Sequence, residues 1–135
     1  MRKLKNNIDD YGKIAGRIWR TLDKYGPITE RNLFRKIRLN KNDLYAGIGW
    51  LARENKISKD GTYYKLSETN LTEKIGNDAG KIWDALSNYR DVNVSSIAKI
   101  SQLKIEDACT ALGWLAREDK IAINYTIKET RYNLK

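Results

Sequence analysis

Gly49-Trp50-Leu51-Ala52-Arg53-Glu54 returns, letter for letter, as Gly113-Trp114-Leu115-Ala116-Arg117-Glu118, and the 64-residue offset decides how the whole chain is read. At that offset Gly16, Ile18, Trp19 and Leu22 map onto Gly80, Ile82, Trp83 and Leu86, and Lys56-Ile57 maps onto Lys120-Ile121. Over residues 12–57, 17 of 46 positions are identical without a gap. The chain is therefore a tandem duplication. Whatever one half is, the other is a variant of it.

The duplication divides the 135 residues into units at 1–67 and 68–135. Units of this size lie near the lower limit of independent folding, so the two halves are expected to pack on each other. Their charges differ. Residues 1–70 carry 16 Lys/Arg against 8 Asp/Glu, whereas residues 71–135 carry 10 against 9. A basic half beside a near-neutral one points to a polyanionic partner for the first half; a charge kept for solubility reads the same way from composition. One cysteine, Cys109, and no histidine leave no internal disulfide and fit a reducing compartment. The basic start, Met1-Arg2-Lys3-Leu4-Lys5-Asn6, leads into no apolar run, and no stretch is long and apolar enough to cross a membrane. A soluble, cytoplasmic protein is expected.

In the first half, Asn6 followed by Asp9 reads as a helix start, matched by Asn70 and Glu73 in the second. Ile14, Ala15, Ile18, Trp19 and Leu22 then recur at helical spacing. Gly12 and Gly16, like Gly76 and Gly80, lie four apart. Glycine weakens a helix interior by up to ~1 kcal/mol, so either something approaches closely there, such as the first helix of the other repeat or a second molecule, or the helix begins after Gly12. Tyr25-Gly26-Pro27 ends the helix, and Ile28 is extended. The run Leu33-Phe34-Arg35-Lys36-Ile37-Arg38-Leu39-Asn40, followed by Asp43-Leu44 and Ile48, has the spacing of a helix-turn-helix with its second helix capped by Asn40. Leu44, Ile48 and Leu51 should face inward, and Lys41, Asn42, Tyr45, Gly49 and Arg53 outward. Lys56-Ile57-Ser58, a turn at Lys59-Asp60-Gly61, and Thr62-Tyr63-Tyr64-Lys65-Leu66 complete a β-hairpin. Helix, helix-turn-helix and hairpin is the order of a winged helix.

In the second half, Ile97 to Ala108 fits the same pattern, with Ala98 at the small position. The turn residue, commonly glycine, is Gln102 here and Arg38 in the first half. A left-handed backbone at either costs on the order of 1 kcal/mol, so a differently shaped turn is expected. Glu106 and Asp107 open the second helix, where they suit a helix N-terminus but repel phosphate. The closing hairpin, Ile121–Tyr125 and Arg131–Leu134, is four residues longer at its turn. With Ile75-Gly76-Asn77-Asp78-Ala79-Gly80-Lys81-Ile82-Trp83 and the repeated Gly-Trp-Leu-Ala-Arg-Glu segment, each half resembles a small winged helix-turn-helix domain family of bacteria and archaea without an assigned biochemical role. The resemblance spans nearly the whole chain, twice. It implies a mainly α fold with small β-hairpins, as two tandem winged helix-turn-helix domains, and a presumption of DNA binding.

Enzyme chemistry finds no support in the sequence. Gly76 to Ile82 superficially resembles a phosphate-binding loop, but it is one residue short, lacks Ser/Thr after Lys81, and follows helix rather than strand. Asp9/Asp10, Glu106/Asp107 and Glu118/Asp119 read as helix-terminal or surface charges rather than an acid–base pair. Cys109 has no histidine partner, and no metal-ligand cluster or cofactor motif is present. Trp19, Trp50, Trp83 and Trp114 could stack on bases. Their identical placement in both halves, only one of them basic, favours a structural role in the core or between the repeats.

The expected function is DNA binding, as a transcription regulator or chromatin-associated factor, mainly through the first repeat. Arg31, Arg35, Lys36, Arg38 and Lys41 would contact duplex phosphates. Asn42, Tyr45 and Arg53 would read bases, with Lys59 in the wing reaching the backbone. The alternative is a protein-interaction adaptor, a role that suits the near-neutral second repeat, through which a homodimer or protein partner would also be held. Recognition of double-stranded RNA by shape carries no specific signal.

Overall fold

In the computed structural model, residues 7–135 are described. The cap expected at Asn6 lies outside them. Buried Ala15, Ile18 and Leu22 hold one face of α1 (Ile8–Tyr25), which ends at Gly26 with a positive φ of 71°. A two-residue strand β1 (Ile28–Thr29) leads into α2 (Glu30–Ile37), whose first turn is capped by the Thr29 hydroxyl accepting from the Asn32 amide. Helix α3 (Lys41–Arg53) begins at the expected cap, Asn40, whose side chain accepts from the Asp43 amide. The wing is β2 (Ile57–Asp60) and β3 (Tyr63–Leu66). The second repeat supplies α4 (Thr72–Asn88), α5 (Val94–Ser101), α6 (Ile105–Arg117), β4 (Ile121–Tyr125) and β5 (Thr130–Leu134). Two tandem helix, helix-turn-helix and hairpin units are present, as the periodicity and the duplication imply.

Several local expectations are corrected. Asn70 is no helix cap: its side chain exchanges hydrogen bonds with the backbone of Lys59, at 3.0 and 2.8 Å, and ties the first wing to the start of the second repeat. Arg38 and Gln102 both take the left-handed conformation (φ 56° and 57°), so the turn keeps its usual shape at the cost of a strained non-glycine residue. The two-residue wing loop is Gly61–Thr62 rather than Asp-Gly, because Asp60 still pairs with Tyr63. Helix α1 runs through Gly12, where a Cβ would stand 3.0 Å from the Trp50 ring; the close neighbour is a tryptophan of the same repeat, not another first helix.

The sheet of the first repeat has order β1-β3-β2, with Ile28 opposite Tyr64 and Ile57 opposite Leu66. In the second, β4 and β5 pair from Ile121↔Leu134 to Tyr125↔Thr130, and Val92 bridges to Tyr132 where the first repeat has β1. Each apolar cluster draws on both halves: Tyr11 and Ala46 join the second repeat's core, and Ile75 and Cys109 join the first's. The second wing also grips α1, through Tyr11 and Tyr132 hydroxyls in contact and the Tyr125 hydroxyl donating to Asp10 at 2.9 Å.

The halves are joined above all by α3 against α6. A Cβ on Gly49 would lie 1.8 Å from the Thr110 carbonyl oxygen, and one on Gly113 would lie 1.8 Å from that of Ala46. Ala46 and Thr110 occupy the same repeat position, so the crossing is a pseudo-twofold. Around it Arg53 pairs with Glu118 at 3.1 Å and Arg117 with Glu54 at 3.0 Å. Each guanidinium lies over the opposite repeat's tryptophan, Arg53 by Trp114 and Arg117 by Trp50, at 5.6 and 5.9 Å. The duplicated hexapeptide is therefore the seam between the repeats.

Candidate nucleic-acid interface

In a winged helix the second helix of the helix-turn-helix is the one that enters a groove, so the seam bears directly on the expected base readers. Leu44, Ile48 and Leu51 face inward as expected. Gly49 does not face outward; it is buried against α6. Tyr45 is also corrected: it is 8% exposed, and its hydroxyl donates to Glu30 Oε2 at 2.9 Å. Glu30 accepts from Tyr64 through its other oxygen at 3.1 Å, so the carboxylate clamps α3 to the wing. Burial first, and then Glu30, raise both tyrosine pKa values. Arg53 is exposed but committed to Glu118 at the C-terminal end of α3, on the seam rather than on a reading face. Of α3, only Lys41 and Asn42 at its start and Arg53 at its end are exposed.

The phosphate candidates fare differently. Arg31, Arg35 and Arg38 fall at positions i, i+4 and i+7 and share an exposed stripe along α2 and its cap. Lys41 stands next to it, with its ammonium 5.5 Å from the Phe34 ring centroid. Lys36 turns the other way, toward α1, and rests 3.8 Å from the Tyr25 ring centroid. Lys59 is half-buried on the wing, 5.3 Å from the Tyr64 ring. Among the described residues none of these six has a carboxylate within ion-pair distance, while the seam arginines do.

The internal repeat shows how much of this is needed for folding. Arg31, Lys36, Arg38, Lys41 and Asn42 become Ser95, Ile100, Gln102, Ile105 and Glu106, and only Arg35 keeps its charge, as Lys99. The fold stands without those charges. Sequence reasoning missed three further cations, Arg17, Arg20 and Lys24, which line α1 beside Lys36. Their signal was present: one face of a helix carries three cations where the second repeat has Lys81, Asp84 and Asn88.

The remaining candidates are structural. Trp50 and Trp114 are half-buried at the seam, as expected; Trp19 and Trp83 are 38% and 45% exposed and lie outside both cores. Cys109 is buried, and burial pushes its thiol up to about 12. Among the described residues no three His, Cys, Asp or Glu side chains gather in a way that could hold a metal ion, and no helix is long and apolar enough to cross a membrane.

Comparison with known proteins agrees with the architecture. The family described as winged helix-turn-helix domain (DUF2582) matches residues 3–69 and again 70–133. Protein BT2368 from Bacteroides thetaiotaomicron, solved by NMR in solution, is 30% identical over 47% of this chain and 77% of its own, with a TM-score of 0.45. No curated protein matches. The chain belongs to the DUF2582 winged helix-turn-helix family, of which it carries two copies in tandem.

Proposed function

We propose that the protein binds duplex DNA, as a chromatin-associated factor or transcription regulator, and grips phosphates through its first repeat. The observation that carries this reading is the contrast at equivalent positions: Arg31, Arg38 and Lys41 are exposed, with no carboxylate within ion-pair distance among the described residues, where the second repeat has Ser95, Gln102 and Ile105. Winged helix domains are typically DNA-binding, and phosphate contact is a sequence-independent term that needs no open α3 face. With Tyr45 and Arg53 withdrawn, base contact is left to Asn42 at the tip of α3, and the reading is of a backbone binder with little sequence preference.

A titration of a short duplex between about 50 and 200 mM salt tests it. Arg31→Ser/Arg35→Gln/Arg38→Gln should flatten the slope of log affinity against log salt by ~2–3, close to 0.9 for each phosphate no longer neutralised. Lys99→Ala/Lys104→Ala in the second repeat should leave it unchanged. Equal effects from the two repeats, or no binding at the lowest salt, would overturn the reading.

A second role is supported for the other repeat. Ile100 and Ile105 are 40% and 43% exposed at the positions of Lys36 and Lys41. Exchange of lysine for exposed isoleucine at both positions favours a protein contact, with a second copy or another chain.

A further inference from the structure

Between the second half of α1 and the end of α2 lies a cleft of about 390 Å³, lined by Arg17, Arg20, Thr21, Lys24, Tyr25 and Lys36. Four cations converge on it, and among the described residues none has a carboxylate partner within ion-pair distance. Arg17 donates to the Ile37 carbonyl at 2.7 Å, and Lys24 and Lys36 lie 5.2 and 3.8 Å from the Tyr25 ring centroid. The carbonyl ends of α1 and α2 both meet here, and each contributes roughly half a negative charge. That offsets one of the four cations and leaves about three in excess. Like charges held together without a counter-charge oppose folding, so the arrangement favours an anion.

The second repeat contains the same cleft, about 370 Å³, lined by Lys81, Asp84, Ala85, Asn88, Tyr89 and Ile100 among others. Shape and tyrosine are retained, and the excess charge is gone. Packing therefore does not require Arg20, Lys24 or Lys36.

We propose that the α1–α2 cleft of the first repeat binds a phosphoryl group. Arg17 and Arg20 offer forked donors suited to phosphate oxygens, and Lys24 and Lys36 supply point charges. The site does not lie on the α2 stripe and goes beyond the duplex reading: the stripe could fail to hold DNA and the cleft still take phosphate. The phosphoryl group comes either from a nucleic-acid backbone or from a free phosphate ester.

Amide chemical shifts of the full chain, titrated with inorganic pyrophosphate and separately with a short duplex, test the proposal. Pyrophosphate should shift Arg17, Arg20, Lys24, Tyr25 and Lys36. Arg20→Asp/Lys24→Asn/Lys36→Ile, which installs residues the second repeat already tolerates, should raise its Kd about tenfold or more, roughly one decade of affinity. The reciprocal change, Asp84→Arg/Asn88→Lys/Ile100→Lys, should create a second site. Arg31→Ser/Arg35→Gln/Arg38→Gln should leave pyrophosphate binding alone, which separates this site from the α2 stripe. If the cleft variant weakens duplex and pyrophosphate together, the source is a nucleic-acid backbone; if it weakens pyrophosphate and leaves duplex affinity intact, the source is a free ester. Shifts spread over the whole basic surface, an unchanged Kd in the cleft variant, or no pyrophosphate binding would overturn the proposal.

Discussion

At the scale of single residues, three glycines with the same letter do different jobs. Gly49 and Gly113 let two backbones meet, and a methyl on either would collide with a carbonyl oxygen on the opposite helix. The neighbour is backbone, so the repeats must separate. Gly49→Ala is predicted to cost ~3 kcal/mol, at the upper end of overpacking penalties. Gly80 has no such neighbour: a Cβ there meets nothing within 4 Å, and Gly80→Ala should stabilise the helix by about 0.5–1 kcal/mol. Urea unfolding midpoints compare the two; a stabilising Gly49→Ala would refute the close crossing. The sequence shows that these glycines recur, not which one meets a neighbour, because that depends on a helix 64 positions away. Tyr45 is hidden from sequence reasoning because its partner, Glu30, lies on α2 and comes near only in the fold. At the position where a helix-turn-helix commonly exposes a reader, its hydroxyl is drawn inward by Glu30.

At the scale of elements, what is legible in the sequence is what local chemistry decides. The cap at Asn40, the turn at Arg38, the helical spacing of Ile14 to Leu22 and the two hairpins are set by neighbours in sequence, and all appear. The outer face of α3 is set instead by α6, so the pattern within one repeat leaves that face to solvent. Arg17, Arg20 and Lys24 sit on the polar side of α1, where helical periodicity marks only the apolar side. The two helix-turn-helix elements have diverged in opposite directions, toward cations on α2 and toward exposed isoleucines on α5 and α6. If those isoleucines hold a protein partner or a second copy, Ile100→Lys/Ile105→Lys should weaken the contact. Sedimentation velocity should then show a smaller species or a dissociated complex. A wild-type chain that stays monomeric and captures no partner would argue against that role.

Across the whole molecule, the repeats form one body in which each core borrows residues from the other half and the duplicated hexapeptide holds the crossing together. Burying most of the reading helix in both copies leaves only its first turn for base recognition. The densest groups of cations without a carboxylate within ion-pair distance, among the described residues, lie on α1 and α2 of the first copy. On the proposed reading such a molecule would hold phosphates by position and charge, and its affinity should depend on salt far more than on sequence. Competition between duplexes of equal length and composition but scrambled order tests this most directly. The account predicts affinities within roughly threefold of one another at fixed salt, because phosphate contacts carry no sequence information. A preference approaching the ~10³-fold or greater that separates specific from non-specific sites in base-reading proteins would contradict it.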